Sequence, residues 1–173
     1  MDEEEVMHDL AKALKERLHP YPYDQDFSPS GCLDFLLLRK SALPGGRYAF
    51  GFKGLGADSV KKTFEEARSD AAAFTKSMWL FRQVGLYLVL CGPESKWLDC
   101  TSHAPVDRTG LHKLIVQAVH FIDPDSGAEH LSQSAWGPVR FGGVDSISEM
   151  IKQTAAINPQ HEAEGDGERR YAP

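Results

Sequence analysis

Cysteine is scarce in this chain. Cys32, Cys91 and Cys100 are the three in 173 residues, an odd number at wide spacing. That pattern argues against a disulfide framework and a four-cysteine metal site, and two of the three sit in or beside apolar segments, so buried reduced thiols are expected. Long hydrophobic runs are missing as well: none approaches the roughly 20 residues that span a bilayer, so no membrane partner is expected. Positive charge is in deficit. Nineteen Lys and Arg stand against 25 Asp and Glu, a formal charge of -6, which disfavours nucleic acid as a partner because polyphosphate binding relies on clustered Lys and Arg. The opening Met-Asp-Glu-Glu-Glu has the wrong charge for a secretory n-region and no apolar h-region follows, so a cytoplasmic address is expected.

What is present reads as one globular domain over residues 1–157, followed by a tail at 158–173 that gains Glu, Gly and Asp and is expected to be disordered. Met7, Leu10, Leu14 and Leu18 recur at helical spacing and predict a helix over Asp2 to Leu18. His19-Pro20-Tyr21-Pro22-Tyr23 breaks it, and Asp24 to Ser30 is expected to continue as loop. Leu33 to Arg39 is apolar but for Asp34 and predicts a buried strand entering a hairpin, with Arg47 to Lys53 as its partner and Tyr48, Phe50 and Phe52 on one face. Gly54-Leu55-Gly56 ends that strand. Val60, Phe64, Ala67, Ala71, Phe74, Met78 and Phe81 then predict a helix over Ser59 to Phe81 with one apolar stripe. Val84 to Cys91 is apolar throughout, as a central strand covered on both faces would be. Leu111 to Ile122 and His130 to Trp136 predict a second hairpin about Asp123-Pro124-Asp125-Ser126-Gly127, and Ser146 to Ile157 a short closing helix. The expected class is α+β or α/β: a mixed sheet of about five strands, flanked by two main helices, with a C-terminal hairpin and short helix.

The order helix, strand with Asp34, strand ending near Lys53, long helix, apolar strand resembles the common core of the PD-(D/E)XK nuclease-like superfamily. The resemblance implies an acid on one strand and an acid-x-lysine on the next, together holding a divalent cation and orienting a water. Hard Mg2+ requires oxygen ligands, and a lysine ammonium can stabilise phosphate charge or lower the water's pKa. Asp34 matches the first acid and Lys53 the lysine, but Gly51 occupies the place of the second acid. Some members of the superfamily carry that acid on the following helix, where Glu65 or Glu66 stands here. Under that alternative Asp34, Lys53 and Glu66 are the catalytic candidates, Asp34 and Glu65 the metal candidates, and Mg2+ the cofactor. Otherwise no cofactor is expected.

The remaining motifs are weaker. Gly54, Gly56 and Ser59, at a strand-to-helix turn, are candidates for an anion site, since free N–H groups there favour negative charge. The turn lacks the Lys-Ser/Thr of a Walker A loop. His112 and His120 would lie about 26 Å apart on one strand, too far to share an ion, while His130 is expected to oppose His120 across the hairpin. Asp123-x-Asp125-x-Gly127 has only the first positions of a calcium loop and is better explained as a turn. Gly-x-Ser-x-Gly is absent, and Cys91 lacks a His or Asp at a recognisable offset. Trp97, Trp136, Tyr21 and Tyr23 are the aromatics expected to be partly exposed. The resulting expectation is a non-catalytic binding or regulatory protein of the bacterial cytoplasm on a nuclease-like scaffold, with a protein partner and with homodimerisation open. The alternatives are a Mg-dependent nuclease with a relocated acid and a small dimeric adaptor or inhibitor.

Overall fold

A computed structural model describes residues 3–17, 23–28, 32–40, 47–75, 84–98, 114–133 and 144–157. The class is α+β, built on a mixed sheet in the order β1-β2-β3-β4-β5-β6. Its strands are β1 Tyr23–Ser28, β2 Phe35–Lys40, β3 Arg47–Gly54, β4 Val84–Cys91, β5 Leu114–Ile122 and β6 Glu129–Gln133. The helices are α1 Glu3–Arg17, α2 Val60–Phe74, the single turn α3 Glu94–Trp97 and α4 Val144–Ile157. Strands β1 to β3 form an antiparallel meander, β3, β4 and β5 run parallel, and β6 returns antiparallel to β5.

Two helical layers cover the sheet because its strands are apolar on both faces. Along β3, Tyr48, Phe50 and Phe52 point to the layer of α1 and α4, where they meet Leu10, Leu14, Ile147 and Ile151. Ala49 points the other way, toward Val60, Phe64, Ala67 and Ala71 of α2. Every residue of β4 is buried, as its unbroken apolar sequence requires of a strand with neighbours on both edges and cover on both faces. Burying a Val or Phe side chain contributes about 1.5–3 kcal/mol, so the Val60 and Phe64 contacts are enough to fix which face of α2 meets the sheet. Within β5, Gln117 is an extra residue at a register shift between Leu86 and Tyr87 of β4. This bulge lets Val116 and Val119 share the α2 face, while Ala118 and Ile122 join the opposite layer.

Four sequence expectations are corrected. Tyr23–Ser28, expected as loop, adds a sixth strand; it sits at the edge and pairs with β2 through two register shifts, so its sequence carries no strict alternation. Helix α2 stops at Phe74 rather than Phe81. Thr75 caps it, with both its N–H and its hydroxyl donating to the Ala71 carbonyl, while Arg47 Nη1 donates to the Thr75 carbonyl. Trp97, expected near the surface, is buried in α3: its ring stacks on Phe121 and Nε1 donates to the Gly92 carbonyl. Finally, Phe121 lies opposite His130 and Leu131 opposite His120, so the two histidines face opposite sides of the sheet and share no ion. Met78, Phe81, Cys100, His112, Tyr21, Trp136 and the tail at 158–173 lie outside the described residues.

Candidate functional site

The chain bends into β2 at Cys32 to Asp34, beside the carboxyl end of β3 and the flank of α2. Asp34 shares the α2-facing side with Leu36 and Leu38, and Lys53 shares it with Ala49 and Gly51, so antiparallel pairing of β2 with β3 brings the two together. Lys53 Nζ donates to Asp34 Oδ1 at 2.9 Å, and the Gly54 N–H donates to Asp34 Oδ2 at 2.9 Å. Both carboxylate oxygens are thus engaged within the protein. Each side chain of the pair is 27% exposed, a half-solvated setting in which an ion pair positions groups more than it stabilises the fold.

Gly51 sits between this pair and the sheet centre. A Cβ built on it would stand 3.2 Å from both methyls of Leu33 and 3.4 Å from Leu88 Cδ1. Leucine methyls therefore crowd the place a side chain at position 51 would start from.

From α2 the nearest acids are Glu66 and Asp70, one turn apart on the same side of the helix. Asp70, which the sequence reading did not single out, accepts the N–H of Cys32 and of Leu33 through Oδ2, both at 2.9 Å. Its only sequence signal is its place beside the apolar stripe, four residues after Glu66. Glu66 is exposed and lies 3.8 Å from Lys62 Nζ, which also holds Asp58 at 2.9 Å. Glu65 is exposed too. Burial raises the pKa of the Cys32 thiol; Lys53 opposes that rise, and Glu66, Asp70 and Asp34 add to it. Cys32 thus marks the point where these four charges converge, and its thiol is kept protonated rather than activated. Among the described residues, no three His, Cys, Asp or Glu side chains come close enough together to hold a metal ion.

The turn carrying Gly54, Gly56 and Ser59 is internally braced. The Gly54 N–H goes to Asp34 and the Leu55 N–H to the Cys91 carbonyl. Ser59 Oγ accepts the Lys62 N–H as the N-cap of α2. Lys96 Nζ from α3 donates to the Leu55 carbonyl at 2.7 Å and to the Gly56 carbonyl at 2.8 Å. A turn that offers carbonyls to a lysine has spent on the fold two of the N–H groups an anion would use. Beyond it, Asp123 organises the β5–β6 turn: Oδ1 accepts the N–H of Asp125 and Ser126, Oδ2 accepts that of Glu94, and Gly127 takes a φ of 71°. Burial alone would raise the Asp123 pKa, but these N–H donors and the Ser126 hydroxyl outweigh it and hold the carboxyl below its ordinary range.

An open groove of about 550 Å3 lies on the other face of the sheet, lined by Arg17, Ser146, Glu149, Met150 and Gln153. It is remote from Asp34 and Lys53. Among the described residues, Leu98 is the large hydrophobic side chain left exposed, at 56%. No described helix is long and apolar enough to cross a membrane. Comparison with protein-family models, with curated proteins and with solved structures gave no match.

Proposed function

We propose that this chain is a non-catalytic binding or regulatory protein of the cytoplasm, using a nuclease-like core as scaffold, with a protein rather than a nucleic acid as its partner. The observation that carries this reading is the packing at Gly51, where Leu33 and Leu88 stand where a second metal-binding acid belongs. Two further features support it. Asp34 accepts from Lys53 at one oxygen and from the Gly54 N–H at the other, so a cation there would have to compete with the Lys53 ammonium for the same carboxylate. Asp34, Glu66 and Asp70 set three carboxylates against Lys53 around Cys32, an acidic balance that repels a phosphodiester backbone.

The test is a cleavage assay. The purified 173-residue chain, given Mg2+ or Mn2+ with single- and double-stranded DNA and RNA, is expected to leave every substrate intact. Metal-dependent cleavage that disappears in Asp34→Ala would overturn the proposal.

One observation favours the nuclease alternative over other readings: Glu66 and Asp70 lie on the side of α2 that faces Cys32 and Asp34. Under that reading Glu66, rather than Glu65, is the relocated acid, and Glu66→Gln would abolish cleavage together with Asp34→Ala.

A further inference from the structure

Two buried side-chain atoms among the described residues have no hydrogen-bond partner, His120 Nε2 and Ser148 Oγ. They belong to elements packed on each other, β5 and α4. His120 alternates with Ala118 and Ile122, which point into the layer of Ile147 and Ile151, and it lies directly opposite Leu131 of β6. Ser148 stands between those two isoleucines on α4, and Lys152, one turn further on, reaches Glu129 of β6 at 3.7 Å. A buried polar atom without a partner costs the hydrogen bond it gave up in water, and here both elements of the α4–β5 pair carry one.

We propose that α4 is an acid-released cover: it docks on β5 and β6 only over a neutral His120, and protonation of that ring drives the helix off, baring Ala118, Ile122 and Leu131. The groups around the ring agree. From α4 comes the Lys152 ammonium, which repels an imidazolium; from β6 comes Glu129, held by Lys152. From β4 comes apolar Val89, paired with His120. Helix α1 turns Met7, Leu10 and Leu14 inward and keeps His8, Asp9 and Glu16 in solvent. Asp145 and Glu149 of α4 are exposed, and His130 faces the opposite layer. The carboxylate on the ring's side of β6, Glu129, is thus engaged by Lys152 rather than by the ring. Burial first, then Lys152, pushes the His120 pKa down to about 3 from 6.5. Once the helix lifts, the ring regains its ordinary value, so docking is at full strength above pH 6.5 and weakens about tenfold per pH unit below it. At pH 5 the loss is about thirtyfold.

The proposal is independent of the function proposed above, and amide hydrogen exchange on the 173-residue chain tests it. Protection factors of α4 are expected to fall about thirtyfold between pH 7 and pH 5 and to lie below those of β3 and β4 at both. His120→Leu and His120→Gln should remove the fall. Protection in α4 that does not change with pH, that equals the strands' throughout, or that falls equally in the variants overturns the proposal. Should neither variant fold, the wild-type His120 ring proton resonance decides. A ring that titrates well below pH 6.5, together with exchange broadening of the α4 signals, supports release on protonation, and one that titrates near pH 6.5 with α4 still protected, or stays neutral while α4 loses protection, overturns it.

Discussion

Gly51 owes its identity to its neighbours rather than to an unusual backbone angle. Leu33 and Leu88 close over it, so Gly51→Asp would press a Cβ against two methyls and strand a carboxylate in an apolar layer. The expected loss is about 2–4 kcal/mol in urea unfolding, from steric displacement and an unpaired buried charge together, with no cleavage gained. A Gly51→Asp protein as stable as wild type would show that the site has room for an acid after all. Asp34→Ala removes the acceptor of both Lys53 and the Gly54 N–H. It should cost about 1–2 kcal/mol, and Asp34→Asn, which can still accept from Gly54, about half of that. The meeting of Asp34 with Lys53 was legible because a hairpin brings the start of one strand to the end of the next. Asp70 was not: what defines it is its reach to the Cys32 and Leu33 N–H groups, thirty-eight and thirty-seven residues away, and no local pattern encodes such a contact. The facing of His120 and His130 failed for a related reason, since a one-residue change in hairpin register moves a side chain to the other face.

Elements followed their sequence where one signal dominated. Strand β4 matched its apolar run from Val84 to Cys91 because central burial demands that composition. Strand β3 matched its alternation of Tyr48, Phe50 and Phe52 because two different layers compete for its faces. Helix α2 began where Ser59 could cap it and ended seven residues early: its apolar spacing continues past Phe74, but Arg47 takes up the Thr75 carbonyl that a further turn would use. Spacing marks the face a helix would bury, not where it stops. Strand β1 was missed since an edge strand with two register shifts needs only its backbone to pair. At this scale Ser59→Ala is the informative substitution. Its Oγ holds the Lys62 N–H at 3.3 Å at an exposed helix start, so the variant should lose about 1 kcal/mol. Thermal unfolding would read that as a drop of a few degrees in Tm for a protein of this size. No loss at all would mean that the turn's other braces, Lys96 on the Leu55 and Gly56 carbonyls, already fix the start of α2.

Across the whole molecule, the sheet divides its ionisable groups unequally. The α2 side carries Asp34, Lys53, Glu66 and Asp70 at a partly solvated corner, whereas the α1 and α4 side buries His120. Acid should therefore act on the second side first. The His120 pKa in the fold, about 3, lies below its unfolded value of 6.5. The neutral ring's contribution is thus fully present above pH 6.5 and is lost as pH falls from there toward 3, because in that window the proton is bound only by states in which the ring is uncovered, the unfolded chain among them. The slope is about 1.4 kcal/mol per pH unit, or about 2 kcal/mol at pH 5. Asp123 has the same sign in a lower window: its carboxyl is held below the ordinary value of 3.8, so its contribution is present above that value and goes only as pH drops further. Urea midpoints between pH 8 and pH 4 should hence stay level down to about 6.5 and then decline, with the decline removed in His120→Leu and kept in Asp123→Asn. A decline that begins only near pH 4 would assign acid sensitivity to the carboxylates and take the buried histidine out of the account.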